Sequence, residues 1–170
     1  MPKPNLTLPT FYQRYVDQVE NDQIVPALIT NGNETLELIR SIPEKNGDYA
    51  YDTGKWTIKE VIAHMIDAER VFAYRALRFS RNDQTVLPGF EENDWALEAN
   101  ANNRRLYKIA EEFANLRASN VDLFGSFNDE MLLRKGTASG AEMSVEAIGF
   151  VIVGHELHHR KILLERYLSH

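Results

Sequence analysis

Three of the five histidines in this chain lie within five consecutive positions, in the segment 154–160 with the sequence GHELHHR. An apolar run, AIGFVIV at 147–153, comes directly before it. Residues four positions apart share one face of a helix, so His155 and His159 lie one turn apart on the apolar face. Two imidazoles at this spacing can bind one metal ion at about 2.0–2.1 Å. The pattern predicts a metal site on a buried helix face.

The alternative is that His155 and His159 only pack in the core. Each buried imidazole then needs hydrogen-bond partners, and an apolar face offers few of them. A shared metal ion, with partners for the other ring nitrogens, satisfies both side chains at once. We therefore favour the metal hypothesis and keep the packing hypothesis as its alternative.

The segment 155–159 also matches the His-Glu-x-x-His pattern of zinc peptidases, in which the glutamate is the general base. The extended peptidase motif would need glycine at 162 and histidine at 165, where this chain has Ile162 and Glu165. The peptidase interpretation fails on this ground, and a third ligand must come from upstream. His64 is the candidate, since it lies in the other long apolar-periodic segment that holds a histidine, whereas His170 is terminal.

Glu156 and His158 are secondary candidates for catalytic residues. Glu156 lies about 100° around the helix from His155 and is spaced to pair with Arg160 at i+4, so we expect it to support the site structurally. His158 lies at the edge of the apolar face, where we expect it to line a cleft without being a ligand.

Helical periodicity and capping signals indicate which elements carry these residues. Thr57 with Glu60 forms a capping box, and Ser144 is a favourable N-cap. The sequence has no sustained alternation of apolar and polar residues with a period of two, so it gives no signal for a β-strand. The predicted helices cover 11–20, 22–42, 57–81, 94–127 and 144–168, with one more turn at 129–133 and loops at 44–55, 82–93 and 135–140.

Four of these helices are long, which predicts an all-α, four-helix bundle in a single domain spanning residues 1–170. The connections are long for simple hairpins. A dozen extended residues reach about 40 Å, comparable to the roughly 36 Å of a 24-residue helix. Periodicity therefore leaves the order of the helices open.

Composition excludes several classes of function. The net charge is −6, with 19 basic against 25 acidic residues, which argues against a nucleic-acid surface. The chain has no cysteine, so disulfides and thiolate ligands are excluded. The start, MPKPNL, lacks the apolar region of a signal peptide, and no run is long enough for a membrane span. We expect a cytoplasmic protein without nucleic-acid or membrane partners.

Four segments together resemble the DinB superfamily of small metal-binding proteins: GKWTIKEVIAHMIDAER at 54–70, FAYRALR at 72–78, LPGFEEN at 87–93 and GHELHH at 154–159. The resemblance implies a four-helix bundle of up-down-down-up order. It also implies a zinc or nickel ion held in a cleft by His64 from the second long helix and by His155 and His159 from the fourth.

A site with three histidines leaves one tetrahedral position open, as in catalytic zinc sites. The resemblance implies a metal-dependent enzyme acting on a small molecule, either a hydrolase or a thiol-dependent transferase, and a homodimer. The alternative is a non-catalytic metal-binding or stress-response module. The family name refers to DNA damage and implies no polymerase activity.

Residues outside the histidine cluster have weaker signals, each with more than one interpretation. Asp67 is placed either to orient an imidazole or to pair with a nearby arginine. Trp56, just before the helix start, is expected to act as a hydrophobic staple. Phe90 and Trp95 are expected to cover the cleft or to form a dimer contact.

Overall fold

The computed structural model describes residues 6–169, so the expectations for residues 1–5 and for His170 lie outside it. The described residues form seven α-helices: α1 Thr10–Val16, α2 Ile24–Ser41, α3 Ile58–Ser80, α4 Glu92–Glu98, α5 Leu106–Gly125, α6 Asp129–Leu133 and α7 Val145–Ile162. A π-helical turn, Leu163–Tyr167, extends α7. Two 3-10 turns, Glu44–Asn46 and Ala101–Asn103, lie in the connections.

The long helices α2, α3, α5 and α7 form a four-helix bundle, which confirms the predicted fold class. α3 and α7 run antiparallel, because Tyr167, just beyond α7, donates to the carbonyl oxygen of Trp56, just before α3, at 2.7 Å. α2 and α5 also run antiparallel, since Glu44, just beyond α2, accepts a hydrogen bond from the first amide of α5, Leu106, at 2.8 Å.

The other two neighbouring pairs are parallel. At the starts of α3 and α5, the Thr57 hydroxyl donates to the side chain of Asn102 at 2.7 Å. Late in α2 and α7, Arg160 pairs with Glu34 at 2.8 Å. The resulting order is up-down-down-up, as the family resemblance implies. The parallel pair α3 and α5 requires a connection that crosses the bundle, and α4 lies within it.

Local capping signals predicted several element boundaries correctly. Thr57 and Glu60 form the capping box at the start of α3, and the Ser144 hydroxyl accepts from the Ala147 amide at the start of α7. Pro26 lies in the first turn of α2, where a missing amide proton costs little. α1 is shorter than predicted and ends at Val16.

The predicted single helix from Asp94 to Phe127 is wrong, since α4 and α5 are separate helices. Asn100 adopts a left-handed conformation, with φ of 53°, and interrupts the helix between them. The side chain of Asn102 then accepts from Thr57 at 2.7 Å and donates to Glu60 at 3.0 Å. These bonds fix the start of α5 beside the start of α3.

The predicted loop at 135–140 is also wrong, because it is part of a β-hairpin. β1 Lys135–Ala138 pairs antiparallel with β2 Ala141–Ser144. Ser139 and Gly140 both have positive φ, 52° and 77°, as the two-residue turns preferred in hairpins require. The strands have four residues each, too few to show a clear alternation.

A buried polar layer separates two apolar cores. One core lies toward the start of α7 and includes Phe79, Phe124 and Ile148. The other lies toward the start of α3 and includes Ile62 and Phe113. Between the two cores, the bundle helices carry a set of buried polar residues: His64, Glu69, Arg117, Asn120, His155 and Glu156.

None of the helices within residues 6–169 has the length and apolar character needed to cross a membrane.

Candidate metal centre

His64, His155 and His159 converge between α3 and α7. The Nε2 atom of His155 lies 3.1 Å from Nε2 of His64 and 3.1 Å from Nε2 of His159. One ring nitrogen from each of the three lies within 4.8 Å of the others. The structure therefore brings together the three residues that the sequence selected, from positions 91 residues apart in the chain.

The three imidazoles fit a shared metal ion better than they fit one another. A ring nitrogen has either one proton or one lone pair, so Nε2 of His155 cannot hydrogen-bond fully to both neighbours. Two ligands at 2.0–2.1 Å from a tetrahedral ion are separated by about 3.3–3.4 Å, close to the observed spacing. The donor set therefore suits a divalent metal ion.

Burial keeps these imidazoles neutral, as metal ligands must be. It lowers the pKa of His64 to about 4. Burial, followed by the charges of His64 and His158, lowers the pKa of His159 to about 3. Burial and the neighbouring histidines hold the pKa of His155 well below its usual value. The ring nitrogens are thus free of excess protons near neutral pH.

The three histidines border a cleft of about 220 Å³. α1 forms one wall, because Tyr15 contacts His155 edge-on with ring centroids 5.5 Å apart. Gly154 makes this approach possible, since a Cβ there would lie 2.1 Å from the Tyr15 carbonyl oxygen. Other residues of the wall are Phe11, Tyr12, Arg14, Trp56, Ala68, Phe72, Phe90, Glu92 and Ser139.

Two features of the cleft wall were not predicted from the sequence: the position of Trp56 and the contribution of α1. The ring of Trp56 lies 4.9 Å from that of His64, so Trp56 borders the site directly. The residues of α1 gave no signal in the sequence, because their contact with α7 is not local. The glycine before His155 was the one available hint, since glycine inside a helix often marks a close approach.

His158 lines the cleft, as expected, with its ring 5.3 Å from that of Tyr15. Phe90 also lines the cleft, and Trp95 packs on Phe90 with ring centroids 4.7 Å apart. Asp67 takes the second of its two predicted roles and pairs with Arg70 at 3.4 Å.

Glu156 lies in the buried polar layer, and its predicted pairing with Arg160 is wrong. Its carboxylate is 2.7 Å from Nη2 of Arg117 in α5, whereas Arg160 pairs with Glu34. Arg117 also binds Glu69 through two hydrogen bonds, of 2.9 and 2.8 Å. Spacing along α7 could not reveal a partner on α5, and the more deeply buried guanidinium of Arg117, 6% exposed against 17% for Arg160, attracts the carboxylate more strongly.

The sequence profile of the DinB superfamily matches residues 27–163, which covers most of the chain and all three histidines. The chain belongs to the DinB superfamily.

The curated relatives are matched over part of their length. A Bacillus cereus (strain B4264) protein named "Putative metal-dependent hydrolase" is 26% identical over 86 residues, which is 50% of this chain and 49% of that protein. A Bacillus anthracis (strain A0248) protein of the same name matches equally. The chain thus spans about half the length of the curated relatives it matches.

Two solved structures share the fold over nearly the whole chain. YfiT from Bacillus subtilis, described as "a probable metal-dependent hydrolase with an unusual four-helix bundle topology", has a TM-score of 0.70 at 14% identity, covering 99% of this chain and 93% of YfiT. A mycothiol-dependent maleylpyruvate isomerase has a TM-score of 0.65 at 11% identity, covering 90% of this chain and 62% of the isomerase.

Proposed function

We propose that this protein is a metal-dependent enzyme whose divalent ion, zinc or nickel, is bound by His64, His155 and His159. The observation that carries the proposal is the convergence of three neutral imidazoles at an open cleft. The curated relatives and YfiT, with metal-dependent hydrolase in their names or descriptions, support hydrolysis of a small-molecule substrate.

His64, His155 and His159 would hold the divalent ion, which would supply Lewis acidity for activating water or a thiol and for polarising a carbonyl oxygen. The protein's own residues orient the reactants. Trp56 and Tyr15 pack against the ligand rings and shield them from bulk water. His158 lies on the cleft wall and would exchange a proton with a bound substrate. Glu156 holds α7 against α5 through Arg117 and so positions His155, which precedes it.

Metal content tests the ligand set directly. The protein, purified without a histidine tag, is expected to bind about one zinc or nickel ion per chain by plasma mass spectrometry. His64→Ala, His155→Ala and His159→Ala should each weaken binding by roughly 100-fold or more, since even residues that only support a ligand contribute 10–100-fold. His158→Ala is the matched control and should keep the metal. A wild-type protein that binds no metal would contradict the proposal.

Thiol transfer is the second candidate reaction. Its support is the fold shared with an isomerase described as mycothiol-dependent. Zinc- or nickel-loaded protein is assayed with nitrophenyl esters and, separately, with a low-molecular-weight thiol and chlorodinitrobenzene. Ester turnover that His159→Ala abolishes supports the hydrolase, and thiol-dependent turnover supports the transferase. A metal-loaded protein inert in both assays supports a non-catalytic metal-binding or stress-response module.

We further propose that the single domain of residues 1–170 associates as a homodimer. Large apolar side chains on α3 and α4 are exposed, with Leu77 at 36% and Leu97 at 77%. Light scattering after size-exclusion chromatography should give twice the mass of the chain, 19.5 kDa. A monomer at micromolar concentration would contradict this proposal.

A further inference from the structure

Arg75 of α3 is a buried arginine without a counterion in residues 6–169. It is 1% exposed. Its Nη2 donates to two neutral acceptors, the Pro88 carbonyl oxygen at 3.1 Å and Ser139 Oγ at 2.8 Å. Its Nη1 is buried and has no hydrogen-bond partner in the described part of the chain. A guanidinium stays charged in a protein, and a buried charge is costly unless it is paired. The described surroundings of Arg75 supply no anion to pair with it.

Arg75 forms part of the wall of a second cavity, of about 420 Å³, between α3, α4 and the chain at 87–90. This volume lies within the range of small-molecule sites, about 300–1,000 Å³. The wall is predominantly apolar and aromatic, with Val71, Tyr74, Leu87, Pro88, Phe90 and Trp95.

The other charged residues of this wall neutralise one another. Arg70 lies 3.4 Å from Asp67 and 2.6 Å from Glu112. Unlike Arg70, Arg75 therefore has no carboxylate among the described residues to offset its charge. The cavity combines an apolar enclosure with one buried positive charge in its wall.

We propose that this cavity, the Arg75 pocket, binds a small aromatic carboxylate. A carboxylate oxygen supplies the acceptor that Nη1 lacks, and the guanidinium fork matches the geometry of a carboxylate. The aromatic body packs against Phe90 and Trp95, whose rings already lie 4.7 Å apart. A neutral ligand of the same shape gains the apolar contacts and leaves Arg75 unpaired.

The Arg75 pocket adjoins the metal cleft but uses other polar groups. Arg75 is eleven residues beyond His64 on α3, about three turns and roughly 16 Å along the same face. Phe90 borders both cavities, and Ser139 borders the metal cleft while accepting from Arg75. The occupant thus lies beside the metal cleft, and its binding does not require the metal.

Calorimetric titration of the full chain, treated with chelator and dialysed, tests the proposal with 4-phenylbutyrate and its neutral amide. The wild-type protein should bind the carboxylate at least tenfold more tightly than the amide. Arg75→Met should weaken carboxylate binding at least tenfold and leave amide binding unchanged, whereas Arg75→Lys should keep part of the affinity. Arg105→Met, at an exposed arginine, is the matched control for loss of one charge.

Val71→Trp, which retains Arg75, should fill the cavity and weaken the binding of both the carboxylate and the amide. If Arg75→Met fails to fold, as judged by circular dichroism, Arg75→Lys and Val71→Trp decide the question. Equal affinity for the acid and the amide would overturn the proposal. So would unchanged binding in the Arg75 and Val71 variants, or a wild-type protein that binds none of phenylacetate, 3-phenylpropionate and 4-phenylbutyrate.

Discussion

The side chain of Arg117 is the centre of the buried polar layer. It is shared by two carboxylates, with Nη2 2.8 Å from Glu69 and 2.7 Å from Glu156, and all three side chains are at most 6% exposed. Asn120 donates to Glu69 at 3.0 Å. Because one guanidinium offsets two buried charges, its removal leaves both carboxylates unpaired.

Arg117→Met should therefore be strongly destabilising, by about 3–5 kcal/mol, the usual cost of breaking a buried ion pair from one side. Urea unfolding followed by circular dichroism at pH 7 measures the loss.

The control for Arg117→Met is Lys108→Met, which breaks the exposed pair with Glu111 and should leave stability almost unchanged. Equal effects of the two substitutions would show that the buried cluster contributes no more than a surface pair.

Prediction from sequence at the scale of single residues succeeded where the signal was periodic. The i, i+4 spacing placed His155 and His159 on one face, and elimination selected His64, which the structure brings beside them. Their binding of metal stays a prediction. The partner of Glu156 was predicted wrongly, because a spacing rule along one helix contains no information about Arg117 on another.

Among the elements, α1 depends most on one close approach. Gly154 of α7 leaves room for the backbone of Tyr15, and any side chain there would displace α1 from the cleft wall. Gly154→Ala should therefore destabilise the protein by about 1–3 kcal/mol, as overpacking does. It should also speed loss of bound metal to a chelator, since α1 shields the site.

Gly125→Ala is the matched control, because no atom lies within 4 Å of a Cβ added at the end of α5. It should leave stability and metal release unchanged or raise stability slightly, since alanine favours helix more than glycine does. If Gly154→Ala behaves like Gly125→Ala in denaturant unfolding, α1 is not held by this contact.

Elements with strong terminal signals were predictable, and those fixed by non-local contacts were not. The capping box of Thr57 and the N-cap Ser144 marked the starts of both histidine-bearing helices. The break at Asn100 had no such signal, since the bonds of Asn102 to α3 stabilise it. The hairpin was missed because its glycine, Gly136, was interpreted as loop, whereas it lets β1 pack against the ring of Phe79.

For the whole molecule, a bound metal should act as a link between α3 and α7. A ligand that binds only the folded state stabilises it, by about 2.7 kcal/mol at 100 times its Kd. Added zinc or nickel should raise the thermal midpoint of chelator-treated wild-type protein, and His64→Ala should abolish the rise. An equal rise in His64→Ala would show that the metal binds elsewhere.

The fold class followed from helical periodicity, while the order of the helices did not. Long connections permit several arrangements, and the up-down-down-up order came from resemblance to a family. Physically, the order is set by contacts such as Glu44 with Leu106 and Arg160 with Glu34, which join helices far apart in the chain.

The distance of 91 residues between His64 and His155 has a consequence for synthesis. A growing chain on the ribosome presents α3 long before α7. Until α7 docks, the centre has only the imidazole of His64. At about 5–20 residues per second, this interval lasts roughly 5–18 seconds. If the centre binds metal as proposed, metal capture would report that α7 has been made and has docked in register.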